Sequence, residues 1–157
     1  MKKVVVEVVI IVLLACAFGI ARNVVFPNSI SLLPSEEPIL EVGAKKIGLE
    51  EAKRMFDEGV IFLDARGCPY YAAGHIAGAR CLKPAEYEDR KHNVLADVEK
   101  GQPLVAYCDG EECSSSVLLA EKLVDDGYTN VYVYPSGWIE WVKAGLPTEK
   151  GFIDGGW

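Results

Sequence analysis

The chain is short of what a metal protein, a nucleic-acid binder or a disulfide scaffold needs. It has two histidines, His75 and His92, and His92 has no cluster of ligand-type partners. No metal site is read from so thin a donor set. Lys and Arg number 16 against 23 Asp and Glu, and the formal net charge is −7. That balance argues against a nucleic-acid partner and supplies no polybasic membrane patch. The five cysteines, Cys16, Cys68, Cys81, Cys108 and Cys113, are too few and too scattered for a disulfide scaffold. Their odd number leaves at least one unpaired within the chain. There is no internal repeat and no low-complexity tract. What the chain does have is 50 % hydrophobic content over 157 residues, enough for one compact domain and an appendage.

The appendage is N-terminal. Lys2 and Lys3 precede Val4 to Ile20, which is apolar except for Glu7. As a helix this run spans about 26 Å, just short of a hydrocarbon core of roughly 30 Å. Residues 1–22 read as an uncleaved signal anchor in a bacterial inner membrane. The basic residues favour a cytoplasmic N-terminus and a periplasmic C-terminal domain. Two other outcomes compete: cleavage after Ala15-Cys16-Ala17, and a lipoprotein box with Cys16 as the lipidated residue. Residues 23–46 read as a linker broken by Pro27, Pro34 and Pro38.

Residues 47–148 read as the folded domain, and 149–157 as a Gly-rich tail. Strands are expected at Val60 to Leu63, Arg80 to Leu82, Leu104 to Tyr107 and Val131 to Tyr134, all short apolar runs fit for a parallel sheet. Helices are expected over 47–59, 84–90, 94–100, about 115–126, and after Pro135. In the fourth, Leu118, Leu119, Leu123 and Val124 form the expected buried stripe. The alternation gives an α/β sandwich around a mostly parallel sheet, in which sites lie beyond the carboxyl ends of strands. Asp64 and Arg66 fall at one such end and read as an ion pair pinning loops. His75, in a Gly-bounded turn, reads as structural. Trp138 and Trp141 read as core anchors.

Cys108 falls at another strand end, followed by a Gly-containing loop and a helix start. A helix N-terminus favours a thiolate there, and loop N–H groups can cradle an anion such as a persulfide. Ser114, Ser115 and Ser116 are expected to cap the helix. An inert buried cysteine is the plainer alternative.

Phe62-Leu-Asp-Ala-Arg66, Tyr71, Gly74-His-Ile-Ala-Gly-Ala79, Val105-Ala-Tyr-Cys108, Gly127-Tyr-Thr-Asn-Val131 and Ser136-Gly-Trp-Ile-Glu-Trp141 together resemble the rhodanese-like domain. The resemblance runs from about Ile47 to Pro147. It implies a three-layer sandwich and a sulfurtransferase in which Cys108 carries sulfane sulfur as a persulfide. It implies no organic cofactor and a sulfur donor and acceptor as partners. The substrate-binding set it points to is Asp109, Gly110, Glu111, Glu112, Cys113 and Ser114 of the loop, with Arg66, while Asp64 and His75 support them.

The sequence departs from the family in the loop, which is about two residues longer than the common pattern and has no Arg or Lys. Tyr70 stands where Glu is common, and Ala77 where Pro is common. Asp109, Glu111 and Glu112 would repel dianionic thiosulfate, so the expected donor is a protein or low-molecular-weight persulfide. Cys113 can resolve Cys108 by forming a disulfide, and Cys68 can do so if its loop meets the Cys108 loop. Two alternatives stand beside sulfur transfer: a non-catalytic protein-binding module, and a thiol redox protein using Cys108 and Cys113.

Overall fold

The computed structural model describes residues 43–110 and 113–151, with Lys3, Val6, Glu7, Ile10 and Ile11. The chain divides into two compact units, Met1–Glu36 and Glu37–Trp157. Most of the segment read as an anchor lies outside the described residues. Among those described, no helix is long and apolar enough to cross a membrane.

In the second unit the elements run β1 (Lys45–Lys46), α1 (Leu49–Asp57), β2 (Ile61–Asp64), α2 (Cys68–Ala73), β3 (His75–Ile76) and β4 (Arg80–Cys81). A 3-10 turn (Pro84–Glu86) leads into α3 (Tyr87–Val94). Then come β5 (Leu104–Tyr107), α4 (Ser115–Asp125), β6 (Val131–Tyr134), α5 (Gly137–Lys143) and β7 (Thr148–Glu149). Five strands form a parallel sheet in the order β1-β6-β5-β2-β4. β3 and β7 form a separate antiparallel pair.

The central strand shows why the short apolar runs become strands. All four residues of β5 are buried. Side chains alternate across a sheet, so Leu104 and Ala106 enter one apolar cluster while Val105 and Tyr107 enter the other. The first cluster takes Leu119, Ala120 and Leu123 of α4 and Tyr87 of α3. The second takes Ala52 and Met55 of α1, Tyr71 of α2 and Trp141 of α5. Trp141 is fully buried, with its ring 5.2 Å from Phe56 and 5.8 Å from Phe62. The three layers are thus helices, sheet and helices.

Several local expectations need correction. Lys45–Lys46, read as linker, pairs with Tyr132 and Val133 as the edge strand β1. The expected helix over 94–100 is a series of turns, with Val98 N–H donating to Leu95 O and Gln102 N–H to Glu99 O. Its apolar spacing arises because Leu95 and Val98 reach the core from those turns. Leu118 is exposed; the buried stripe of α4 is Ser116, Leu119, Ala120 and Leu123.

Register fixes the working edge. Asp64 lies beside Cys81 on one side and Tyr107 on the other, and Tyr107 lies beside Tyr134. These four residues form one row at the carboxyl ends of β4, β2, β5 and β6. Cys108 is the first residue beyond that row.

Candidate active site at the carboxyl edge of the sheet

Cys108 is fully buried, and its position is set by the next helix but one. Its carbonyl accepts the Trp138 N–H at 2.8 Å, and the Asp109 carbonyl accepts the Ile139 N–H at 3.0 Å. The backbone of α5 therefore grips the start of the loop. This approach needs a bare Cα at Gly137: an added Cβ would sit 2.0 Å from the Cys108 oxygen, and φ there is +52°. The loop then turns back, with Cys113 N–H donating to Gly110 O at 2.9 Å.

Cys108 and Cys113 are joined by a disulfide, their Cα atoms 6.2 Å apart and five residues apart in sequence. The nucleophile that the sequence points to is therefore held in oxidised form. Glu111 and Glu112 lie outside the described residues. Ser114 is the N-cap of α4, but its side chain makes no capping bond. Ser116 is buried, and its hydroxyl has no hydrogen-bond partner among the described residues. Ser114 thus holds the capping position without the side-chain bond expected of it.

Asp64 and Arg66 form a buried ion pair. Arg66 Nη2 donates to Asp64 Oδ2 at 2.6 Å, and its Nε donates to Oδ1 at 3.0 Å. The Arg66 backbone N–H and the Tyr107 hydroxyl complete the Asp64 shell at 2.9 and 2.8 Å. Tyr107 in turn accepts the Ile76 N–H at 3.2 Å. Burial, then the Asp64 charge, push the Tyr107 pKa up, so it remains a donor. Burial opposes the charge on Arg66, but Asp64 outweighs it and raises the pKa.

Arg66 was expected to bind substrate. Its side chain is only 3 % exposed and lies over the Trp138 ring at 4.7 Å. Its remaining reach goes to Gly74 O at 2.6 Å and Asp109 Oδ1 at 3.3 Å. In this structure Arg66 positions the first residue of the Cys108 loop. Gly74 permits the arrangement, since a Cβ there would meet Trp138 at 2.9 Å. Tyr70 is exposed and does not replace a partner of Arg66.

His75 is buried, with Nδ1 2.8 Å from Tyr71 O and its ring stacked on Tyr71 at 3.6 Å. It braces the β3 turn. Cys68 does not meet Cys108 in this structure; its sulfur lies 2.8 Å from Cys81 Sγ. An open groove beside the loop is lined by Leu49, Gly110, Ser136, Ile139 and Lys143. It meets the loop at Gly110. The groove was not read from the sequence, though the exposed Ile139 next to Trp138 marks one wall.

A parallel sheet with a cysteine just past its central strand, in a loop gripped by the backbone of α5, defines an α/β domain with its candidate site beyond the carboxyl ends of the strands. The model of the rhodanese-like domain matches residues 48–144, and the chain belongs to that family. A thiosulfate sulfurtransferase of Pseudomonas entomophila is 35 % identical, over 62 % of this chain and 84 % of its own. An HTH-type transcriptional regulator of Mycobacterium tuberculosis is 36 % identical over 59 % of this chain, but the match spans only 38 % of that protein. The solution structure of a rhodanese-like domain from Anabaena superposes with a TM-score of 0.56 at 27 % identity, covering 69 % of this chain and 80 % of its own.

Proposed function

We propose that the domain is a sulfurtransferase that carries sulfane sulfur on Cys108 and is closed, at rest, by its disulfide with Cys113. The observation that carries this reading is the Cys108–Cys113 bond at the carboxyl end of the central strand. A thiol reductant opens that bond. The Cys108 thiolate attacks the outer sulfur of a persulfide R–S–SH, which keeps its proton, forming Cys108–S–SH and releasing R–S⁻. An acceptor thiolate then removes the outer sulfur and regenerates the Cys108 thiolate.

The donor is a protein or low-molecular-weight persulfide rather than free thiosulfate. Glu111 and Glu112 oppose a dianion, and the loop has no Lys or Arg to offset them. Asp109 opposes it less, because Arg66 already engages its carboxylate.

The disulfide also favours a second, thiol-redox reading. The Cys113 thiolate can attack the inner sulfur of Cys108–S–SH, releasing HS⁻ and restoring the Cys108–Cys113 bond. The acceptor route and this route compete for one intermediate.

The domain is held at the periplasmic face of a bacterial inner membrane by residues 1–22. Support comes from the apolar run behind Lys2 and Lys3, and from Val6, Ile10 and Ile11, which are exposed. Membrane fractionation followed by protease added to spheroplasts tests this, with recovery in the soluble fraction as the overturning result.

Sulfur transfer is tested by intact mass of the full-length protein, reduced and then given a persulfide donor or thiosulfate. Gain of one sulfur on Cys108, more from the persulfide, is expected. Cys113→Ser should hold that sulfur longer. No uptake from either donor by the reduced protein would overturn the reading and leave a protein-binding module.

A further inference from the structure

Cys68 and Cys81 form a second thiol pair outside the Cys108 loop. Cys68 begins α2 and Cys81 ends β4, and their sulfurs lie 2.8 Å apart, within van der Waals contact, although both are free thiols. Cys81 is buried at 7 % exposure, whereas Cys68 is half-buried. Arg90 of α3 reaches over them, its Nη1 2.8 Å from Cys68 Sγ and 3.8 Å from Cys81 Sγ. The same nitrogen lies 3.3 Å from Glu86, which anchors the guanidinium. Two cysteines serving only as apolar filler would not need a cation held against them. The guanidinium can donate to either sulfur, and its shorter contact is with Cys68, the more exposed of the two.

We propose that Cys68 and Cys81 are a second dithiol–disulfide pair, separate from Cys108–Cys113, whose substrate is an exchanging disulfide of a small thiol or a protein. Cys68 is the entering nucleophile and Cys81 the resolving thiol. The Cys68 thiolate attacks one sulfur of R–S–S–R, forming Cys68–S–S–R and releasing R–S⁻. Cys81 gives its proton to the released thiolate and attacks Cys68 Sγ, closing the Cys68–Cys81 bond and releasing the second R–S⁻. One disulfide is reduced to two thiols while the chain's two thiols are oxidised to one disulfide. Burial pushes the Cys81 thiol up to about 12, with the Cys68 hydrogen bond adding to the rise and Arg90 opposing it. Cys81 is thereby kept from attacking a disulfide first.

The pair is separate on geometric grounds. Asp64 stands between Cys81 and Tyr107 in the strand-end row, and Cys108 is already bonded to Cys113. Closing the pair would tie the start of α2 to the end of β4, fixing both ends of the segment that follows Arg66.

The test uses full-length protein carrying Cys108→Ser and Cys113→Ser, incubated with glutathione disulfide and mapped by alkylation and peptide mass. Loss of two hydrogens at a Cys68–Cys81 link is expected. Adding Cys81→Ser should stop the reaction at one glutathione on Cys68, and adding Cys68→Ser should leave Cys81 unmodified. Arg90→Gln should slow modification of Cys68 by about tenfold. If the double variant does not fold, the wild type serves, because its Cys108–Cys113 bond is already closed. Free alkylation of Cys68 and Cys81 after treatment, or a link from either to Cys16, would overturn the proposal.

Discussion

The two cysteine pairs of this domain differ in nearly every physical respect. Cys108 and Cys113 are five residues apart, bonded, and share a loop whose charged residues are all acidic. Cys68 and Cys81 are thirteen apart, unbonded, and lie on two different elements under a guanidinium. The Cys108 loop has no cation of its own and Arg66 engages its Asp109, whereas at the other pair Arg90 lies against the sulfurs themselves. On the two proposed roles, this difference in charge is what lets two pairs on one sheet edge take different substrates.

The widest separation between the pairs should appear in sulfur uptake. Cys108→Ser is expected to reduce persulfide formation by at least about three orders of magnitude. Cys68→Ser should stay within about twofold of the wild type in the same mass assay. If both variants lose uptake, the pairs work as one relay and the comparison fails.

The two guanidiniums give the next contrast. Asp64→Ala leaves Arg66 buried without its main partner and should cost about 3–5 kcal/mol in urea unfolding. Arg90→Gln removes a partly exposed cation whose ion pair is with Glu86, and should cost less than about 1 kcal/mol. Gly137→Ala should fall between them, at about 1–3 kcal/mol by the same measurement, because the new Cβ collides with the Cys108 carbonyl.

A pH series sharpens the comparison further. The unfolded chain gives up the Cys81 proton near pH 9.0, while burial, Cys68 and the opposing Arg90 leave the folded chain holding it to about 12. Stability from this group is complete below pH 9.0 and declines as pH rises toward 12. Tyr71, raised by burial from 10.0 to about 12, adds a decline of the same sign. Urea midpoints at about pH 8 and about pH 10.5 should differ more in the reduced protein than after the Cys68–Cys81 bond is closed. An equal difference in both forms would remove Cys81 as the cause. The smallest expected effect is Ser116→Ala, within about 0.5 kcal/mol or slightly stabilising by the same unfolding measurement, since it removes a buried hydroxyl without a described partner.

The parts of the fold legible in the sequence were those whose burial is written in consecutive residues. Leu104–Tyr107 and Val131–Tyr134 read as strands because both faces of the sheet are covered. Lys45–Lys46 carried no such sign, being two exposed lysines that pair at the edge of the sheet. The β3–β7 pair was also hidden, since the last residue of the expected domain and the first of the tail pair with two residues of a turn. Ser116 holds a core position that apolar patterning assigns to Leu118. Cys108, Asp64 and Arg66 were legible together because chain order already places them at strand ends, and Cys113 because it follows in the Cys108 loop. Arg66 turning inward to Asp109 was not, because that choice depends on the Trp138 ring supplied by a distant helix. Cys68 meeting Cys81 under Arg90 requires three elements to converge, and no spacing along the chain encodes it.

Gly137 bears on how this domain tolerates variation. In a saturation library screened for sulfur transfer, position 137 should be depleted alongside Cys108, though less completely, despite offering no side chain to any substrate. Reading such a map by chemistry alone would overlook it. Lineages that change the loop can trade acidic residues for others, but they must keep a residue without a Cβ where α5 passes the Cys108 carbonyl.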